Sequence, residues 1–288
     1  HDIAVIEMGA NHPKEIEFLT KISKPTCGLI TNVGKAHLEG FGSLEGVINT
    51  KKELYDWLIS HKGTIFVNHN NEYLTPLVKG YDKVEYYSSN PESEDATTGE
   101  ITKCNPYLHF KLKGIDGEIS THLIGSYNID NILSAVAIGR KFGISDEKIV
   151  EAITEYTPTN NRSQLMETER NTVIIDAYNA NATSMKAAIE NFNMIETKAP
   201  KCAILGDMLE LGEQSSIEHQ RIITLLENSK IDNIILVGKE FGNTTHHYMW
   251  YETSELLAEK LKTDPIQKEM ILLKGSHGIG LQKLIELL

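Results

Sequence analysis

"CGLITNVGKAHLEGFGSLEGVINTKKELYDWL", residues 27–58, decides the fold. Its opening "CGLITNVG" is an apolar run that closes in a turn, the pattern of a buried strand. Ser43 is a plausible helix N-cap, and Glu45 sits favourably in the first turn after it. From there Leu44, Val47, Ile48, Leu54, Tyr55 and Leu58 recur at helical spacing and define one apolar stripe. A buried strand, a loop and a one-sided helix make a unit of an α/β sheet. Lys51 lies three or four residues from Val47, Ile48, Leu54 and Tyr55, in the middle of the stripe. Lys52 points about 100° away, toward water. Lys51 has two readings. Its stem packs while the ammonium reaches solvent, or it is desolvated, which disfavours the charged form and leaves a reactive neutral amine.

The same alternation continues on both sides. "DIAVIEMG" reads as a buried strand ending at Glu7, and "PKEIEFLTKI" as a helix. "GTIFVN" and "KVEYYS" read as further strands. From Glu94 to Leu123 the segments become short and alternating, the mark of a small antiparallel sheet. Two amphipathic helices follow, "NIDNILSAVAIGRKFG" and "SDEKIVEAITEY", with Gly143 ending the first and Ser145 capping the second. "TPTNNRSQ", residues 157–164, is polar and aperiodic and reads as an interdomain linker and hinge. Beyond it strands and helices alternate again, from "TVIIDAY" to a final helix "LQKLIELL", a second α/β domain with a largely parallel sheet.

Charge narrows the function. With 28 Lys and Arg against 40 Asp and Glu, the formal net charge is −12, which excludes a general nucleic-acid binder with a basic face. Three scattered cysteines without a CxxC carry neither a disulfide framework nor a zinc signature, and a reducing, cytoplasmic setting is expected. No apolar run approaches the ~20 residues of a membrane span, and no signal peptide is expected. The chain opens in the middle of a strand, so a part of a longer protein is expected.

In open α/β sheets ligands bind beyond the carboxyl ends of the strands. Glu7, His37 and Lys51 all fall there, and a carboxylate and an imidazole beside a buried lysine suggest a divalent-metal or phosphate site. No GxxxxGK[ST] phosphate loop occurs in the chain. "KGSHGIG" (274–280) lies between a strand and a helix, either a backbone anion nest or a tight turn. In "IIDAYNANATSM" (174–185), Asp176 closes a strand where a carboxylate can take ribose hydroxyls, and Tyr178, Asn179 and Asn181 precede a helix N-terminus that favours anions. Capping and Asx-turn chemistry account for the same residues equally well. In the same way Asp207, after a strand, can take an ammonium or cap a helix, and Lys274 with Ser276 can take a carboxylate or end a strand.

"IEMGAN", "TNVGKAHLEGFGS", "GSYNIDNILSA", "DAYNANATSM" and "ILGDMLELG" together resemble the Mur ligases, in order and over essentially the whole chain. The resemblance implies a central P-loop-type ATPase domain (mostly parallel sheet plus a small antiparallel sheet) over residues 1–159. This domain would lack its start and the phosphate loop. A Rossmann-like ligase domain is implied over residues 160–288. "EMGAN", "AHLEGFGS" and "YNAN" with "GDMLELG" point to the branch that adds D-Ala-D-Ala to UDP-MurNAc-tripeptide, with ATP and Mg2+, acting as a cytoplasmic monomer. By position, Lys51 matches a lysine carbamylated by CO₂, and Glu7 and His37 match magnesium-site residues. Asn128 matches an adenine-contacting asparagine and Arg162 an arginine that reaches the ATP phosphates on closure. Asp176 matches the ribose-binding carboxylate, with Tyr178 and Asn181 beside it. The branch usually reads "KGSR" where this chain has "KGSH", with His277. Other readings are another Mur-type amino-acid ligase, a folylpolyglutamate synthase-like enzyme, or a non-catalytic nucleotide-binding module. The "DNPR"-type motif of the diaminopimelate-adding enzymes is absent.

Overall fold

The computed structural model describes residues 1–34, 38–159 and 162–288. It divides into two compact units. The first comprises residues 1–102, 109–120 and 127–154. The second comprises 103–108, 121–126 and 155–288.

The first sheet has the order β1-β2-β3-β4-β5-β6, from β1 (Cys27–Leu29), β2 (Thr64–Asn68), β3 (Val84–Ser88), β4 (Thr97–Cys104), β5 (Tyr107–Leu112) and β6 (Ile119–Ile124). The pairs β1·β2, β2·β3 and β3·β4 are parallel, which sets the carboxyl ends of β1, β2 and β3 along one edge. The helices α1 (Glu15–Ser23), α2 (Leu38–Phe41), α3 (Leu44–Ser60), α4 (Asn128–Lys141) and α5 (Asp146–Glu155) accompany them. Ser43 caps α3 as expected, its Oγ accepting from Gly46 N at 3.1 Å. The apolar stripe of α3 is the core of this unit: Val47, Leu54, Tyr55 and Leu58 are buried with Ile65 and Val67 of β2. On its next face, Glu53 accepts from Lys14 N and Glu17 N, both at 2.8 Å. A carboxylate of α3 thus satisfies donors that the first turn of α1 leaves open.

The expected first strand does not form. Residues 1–10 join no ladder, and Ile3, Val5 and Ile6 are exposed, Val5 to 94%. Apolar composition suits a strand, but a strand exists only through its neighbour's hydrogen bonds, and no described segment pairs with this one. Glu7 therefore lies on an exposed segment and ends no strand.

The second unit is wound around the order β11-β10-β9-β12-β8-β7. Its strands are β7 (Gln164–Glu167), β8 (Thr172–Asp176), β9 (Lys201–Gly206), β10 (Asn233–Val237), β11 (Met249–Tyr251) and β12 (Met270–Lys274). All pair in parallel except β7, which runs antiparallel to β8. The helices are α6 (Ala182–Met194), α7 (Ser215–Glu227), α8 (Lys239–Gly242) and α9 (Ser254–Thr263). Residues of β8, β9, β10 and β12 alternate between two apolar clusters, one on each face of the sheet. A sheet covered on both faces explains why these strands read as continuous apolar runs. Two local expectations are corrected. "LQKLIELL" winds as a 3₁₀ segment over Leu281–Leu287. "QLME", inside and beyond the polar 157–164 stretch, is the strand β7.

Candidate active site

In the first unit, the chain leaves β1 into residues 30–34, and the Asn32 carbonyl accepts a hydrogen bond from Lys51 Nζ at 3.0 Å. Among the described residues no carboxylate pairs with this amine. Burial alone holds its pKa below the usual lysine value, because a desolvated ammonium loses hydration that one carbonyl does not replace. Lys52, one residue on, pairs with Asp56 along the outer face of α3. Both lysines are half-buried, but only Lys51 has its ammonium disfavoured by desolvation, while Lys52 keeps its ion pair. His37 lies outside the described residues. Glu7 is exposed, and no hydrogen bond or ion pair joins it to Lys51. Among the described residues no three His, Cys, Asp or Glu side chains cluster as a metal site.

Asn128 opens α4 and is buried, its Oδ1 accepting from Asn131 Nδ2 at 3.1 Å. Two residues on, Asp130 reaches the side chains of Asn68 and Ser89 at the carboxyl ends of β2 and β3. Burial pushes its carboxyl above the usual aspartate range, against those two hydrogen bonds. Its Oδ1 is buried without a partner. Asp130 lies within the quoted "GSYNIDNILSA", from which sequence reading singled out Asn128 alone; a further signal was an acidic residue in the first turn of a helix.

In the second unit the strand register brings Asp176 and Lys274 side by side at the carboxyl ends of β8 and β12. Lys274 Nζ meets Asp176 Oδ2 at 2.6 Å and is 1% exposed. The nearby Asn179 carbonyl lies at 3.4 Å. The guanidinium carbon of Arg162 lies 4.0 Å from the centroid of the Tyr178 ring, within range of a cation–π contact. His277 tilts toward the same ring at 6.4 Å. Arg162 and Tyr178, and Asp176 and Lys274, which sequence reading had assigned separately, thus pair two by two in this unit.

Other candidates have fixed structural partners. Asn181 is the N-cap of α6, accepting from Ser184 N at 2.9 Å while Ser184 Oγ accepts from Asn181 N, a reciprocal capping box. Asp207 is buried, and its two oxygens accept from Glu240 N and Phe241 N at 2.9 Å each. It caps the first turn of α8, and Gly238, just before that helix, leaves no room for a Cβ against it. Ser276 Oγ accepts from Leu209 N at 2.9 Å and approaches the Ala180 carbonyl at 3.3 Å. Asp207 thus takes the capping position, Ser276 ties Leu209 N to the Ala180 carbonyl, and Lys274 is a buried ion-pair member rather than a solvated strand end.

Residues 1–139 match the family model of the Mur ligase middle domain, and residues 161–277 that of the Mur ligase, glutamate ligase domain. The UDP-N-acetylmuramoyl-tripeptide–D-alanyl-D-alanine ligase of Buchnera aphidicola subsp. Baizongia pistaciae is 34% identical over 99% of this chain and 64% of its own length. A crystal structure of MurF from Acinetobacter baumannii superposes with a TM-score of 0.84 at 26% identity, over 99% of this chain and 64% of that one. A MurF ligase from Thermotoga maritima in complex with ADP shares the fold, with a TM-score of 0.78 at 21% identity over 97% and 65%. The chain spans 64–65% of the length of the first curated relatives it matches.

Proposed function

Because the chain belongs to the Mur ligase family, we propose that it supplies the middle and C-terminal domains of an ATP-dependent ligase that joins D-Ala-D-Ala to UDP-MurNAc-tripeptide in the cytoplasm. Similarity to ligases of that name over 99% of the chain carries this reading, and the chemistry of the two strand edges agrees with it. Among the described residues no helix is long and apolar enough to cross a membrane.

In the proposed reaction the tripeptide carboxylate takes the γ-phosphoryl group of ATP and becomes an acyl phosphate. The amine of D-Ala-D-Ala then displaces phosphate. Asn128 contacts the adenine. Asp176, anchored through Oδ2 by Lys274, keeps Oδ1 for ribose hydroxyls. Arg162, stacked on Tyr178, offers a guanidinium fork to phosphate oxygens. Asp207, Lys274 and Ser276 frame the loops against which the acceptor lies, and residues 157–164 form the hinge between the domains.

Magnesium belongs to the same proposal. An ammonium at position 51 repels a cation, so the donor set suits a hard metal ion only once Lys51 is carbamylated. Its lowered pKa favours the neutral amine that reaction needs. Lys51 carbamate, Glu7 and His37 would hold the ion, which supplies charge neutralisation on the phosphates. The fit of Lys51 rests on its burial; Glu7, exposed and unjoined to it, contributes only by family position.

The test is acceptor competition on the complete ligase, with D-Ala-D-Ala, D-Ala, L-Lys and diaminopimelate together. D-Ala-D-Ala is expected to be used preferentially. A single amino acid used equally well or better would overturn the acceptor assignment.

A further inference from the structure

His219, on α7, is fully buried. Its Nε2 accepts the backbone N–H of Met208 at 3.0 Å, and its Nδ1 lies 2.8 Å from the Ser215 carbonyl. A carbonyl only accepts, so Nδ1 carries the proton. A backbone N–H only donates, so Nε2 carries none. The two bonds together require a neutral ring in one tautomer. Phe241 packs edge-on against it at 4.7 Å, and Asp207 Oδ1 stands 3.7 Å from Nε2, too far for a hydrogen bond.

Met208 is the second residue of the loop 207–211, which leaves β9 at the carboxyl edge of the second sheet. The same loop is tied on its other side, Ser276 N donating to the Asp207 carbonyl at 3.1 Å and Leu209 N to Ser276 Oγ at 2.9 Å. His219 is the tie from α7. We infer that the neutral imidazole of His219 is a positioning residue that sets loop 207–211 for the acceptor, and that protonating it releases the loop. The inference rests on the ligase reading above for the identity of the acceptor.

The charge logic is local. An imidazolium would aim an Nε2–H at the Met208 N–H, so that bond must break. Asp207 Oδ1, 3.7 Å from Nε2, is then an acceptor within reach, and it already takes the Phe241 N–H in the first turn of α8. Drawing Asp207 toward the ring loosens the loop and that turn together. The other titratable groups around the ring are accounted for. Glu240 takes a hydrogen bond from Ser215 Oγ at 2.6 Å. On the histidine's own helix, Glu218 pairs with Arg221 at 2.6 Å.

Two readouts test this. In the complete ligase, His219→Leu removes the acceptor of the Met208 N–H, and the KM for D-Ala-D-Ala is expected to rise at least about tenfold while that for ATP stays within about twofold. His219→Gln keeps a non-titrating acceptor, so it restores the KM at neutral pH and flattens the acid limb of kcat/KM for D-Ala-D-Ala. Equal rises in both KM values for Leu, or an unchanged acid limb in Gln, would overturn the inference. In the 288-residue chain, nitrogen NMR of the ring needs no activity. It is expected to show Nδ1 protonated and Nε2 bare at neutral pH, with the Met208, Leu209 and Ser276 amides shifting as the ring is protonated. A protonated Nε2 at neutral pH, or amides that ignore the titration, would sink it even if His219→Leu does not fold. If the NMR holds while the wild-type ligase shows no preference for D-Ala-D-Ala, the acceptor reading fails and the latch stands.

Discussion

Two lysines at the carboxyl edges of two sheets, Lys274 buried and Lys51 half-buried, meet opposite fates. Lys274 ends β12 against Asp176, 2.6 Å away, and its charge is matched on the spot. Lys51 sits inside the apolar stripe of α3 and, among the described residues, donates only to the Asn32 carbonyl, while burial pushes its pKa down. The first arrangement makes a fixed frame. The second holds an amine ready to become something else. Burial alone does not distinguish structural from reactive lysines; the partner does.

Removing each partner in turn sharpens the contrast. Lys274→Ala strands Asp176 beside the core, and chemical denaturation of the chain is expected to show a loss of about 3 kcal/mol or more. A loss under about 1 kcal/mol would mean the pair is effectively solvated. Asp207→Ala leaves two backbone N–H groups in the first turn of α8 without their acceptor and is expected to cost about 2–3 kcal/mol in the same measurement.

Lys51→Met is expected to act in the opposite direction, stabilising the chain by about 1 kcal/mol while abolishing ligation by the complete enzyme. Its pH dependence follows from the sign of the shift. The folded pKa lies below the unfolded 10.5, so charging Lys51 costs folding free energy. That cost is complete below the folded pKa and fades as pH rises from there toward 10.5. The gap between Lys51→Met and the parent should therefore narrow with rising alkaline pH. A gap that widens would reverse the reading of Lys51. Arg162→Ala is the smallest in stability, about 0.5 kcal/mol from an exposed stack on Tyr178. Its larger expected effect is a raised KM for ATP, only partly recovered by Lys, which lacks the planar fork.

Much of this was legible in the chain. Strand and helix periodicities, the Ser43 cap and the opposed directions of Lys51 and Lys52 are local, set by residues within one or two turns. What was hidden is non-local. The partner of Lys274 lies 98 residues away and is fixed by the strand order, with β12 inserted between β8 and β9. Asp207 caps a helix more than thirty residues on, and His219 serves a loop eleven residues back. Residues 2–8 have the composition of a strand, but no neighbour pairs with them among the described residues. Asp130, passed over inside "GSYNIDNILSA", stands out through an Oδ1 that is buried without a partner among the described residues.

The most direct test of the uncompensated lysine is carbon NMR of the 288-residue chain equilibrated with ¹³C-labelled bicarbonate. The account predicts a carbamate carbonyl resonance that persists in Lys52→Ala and vanishes in Lys51→Ala. A saturated sample with no carbamate signal, or a signal that survives Lys51→Ala, would contradict it.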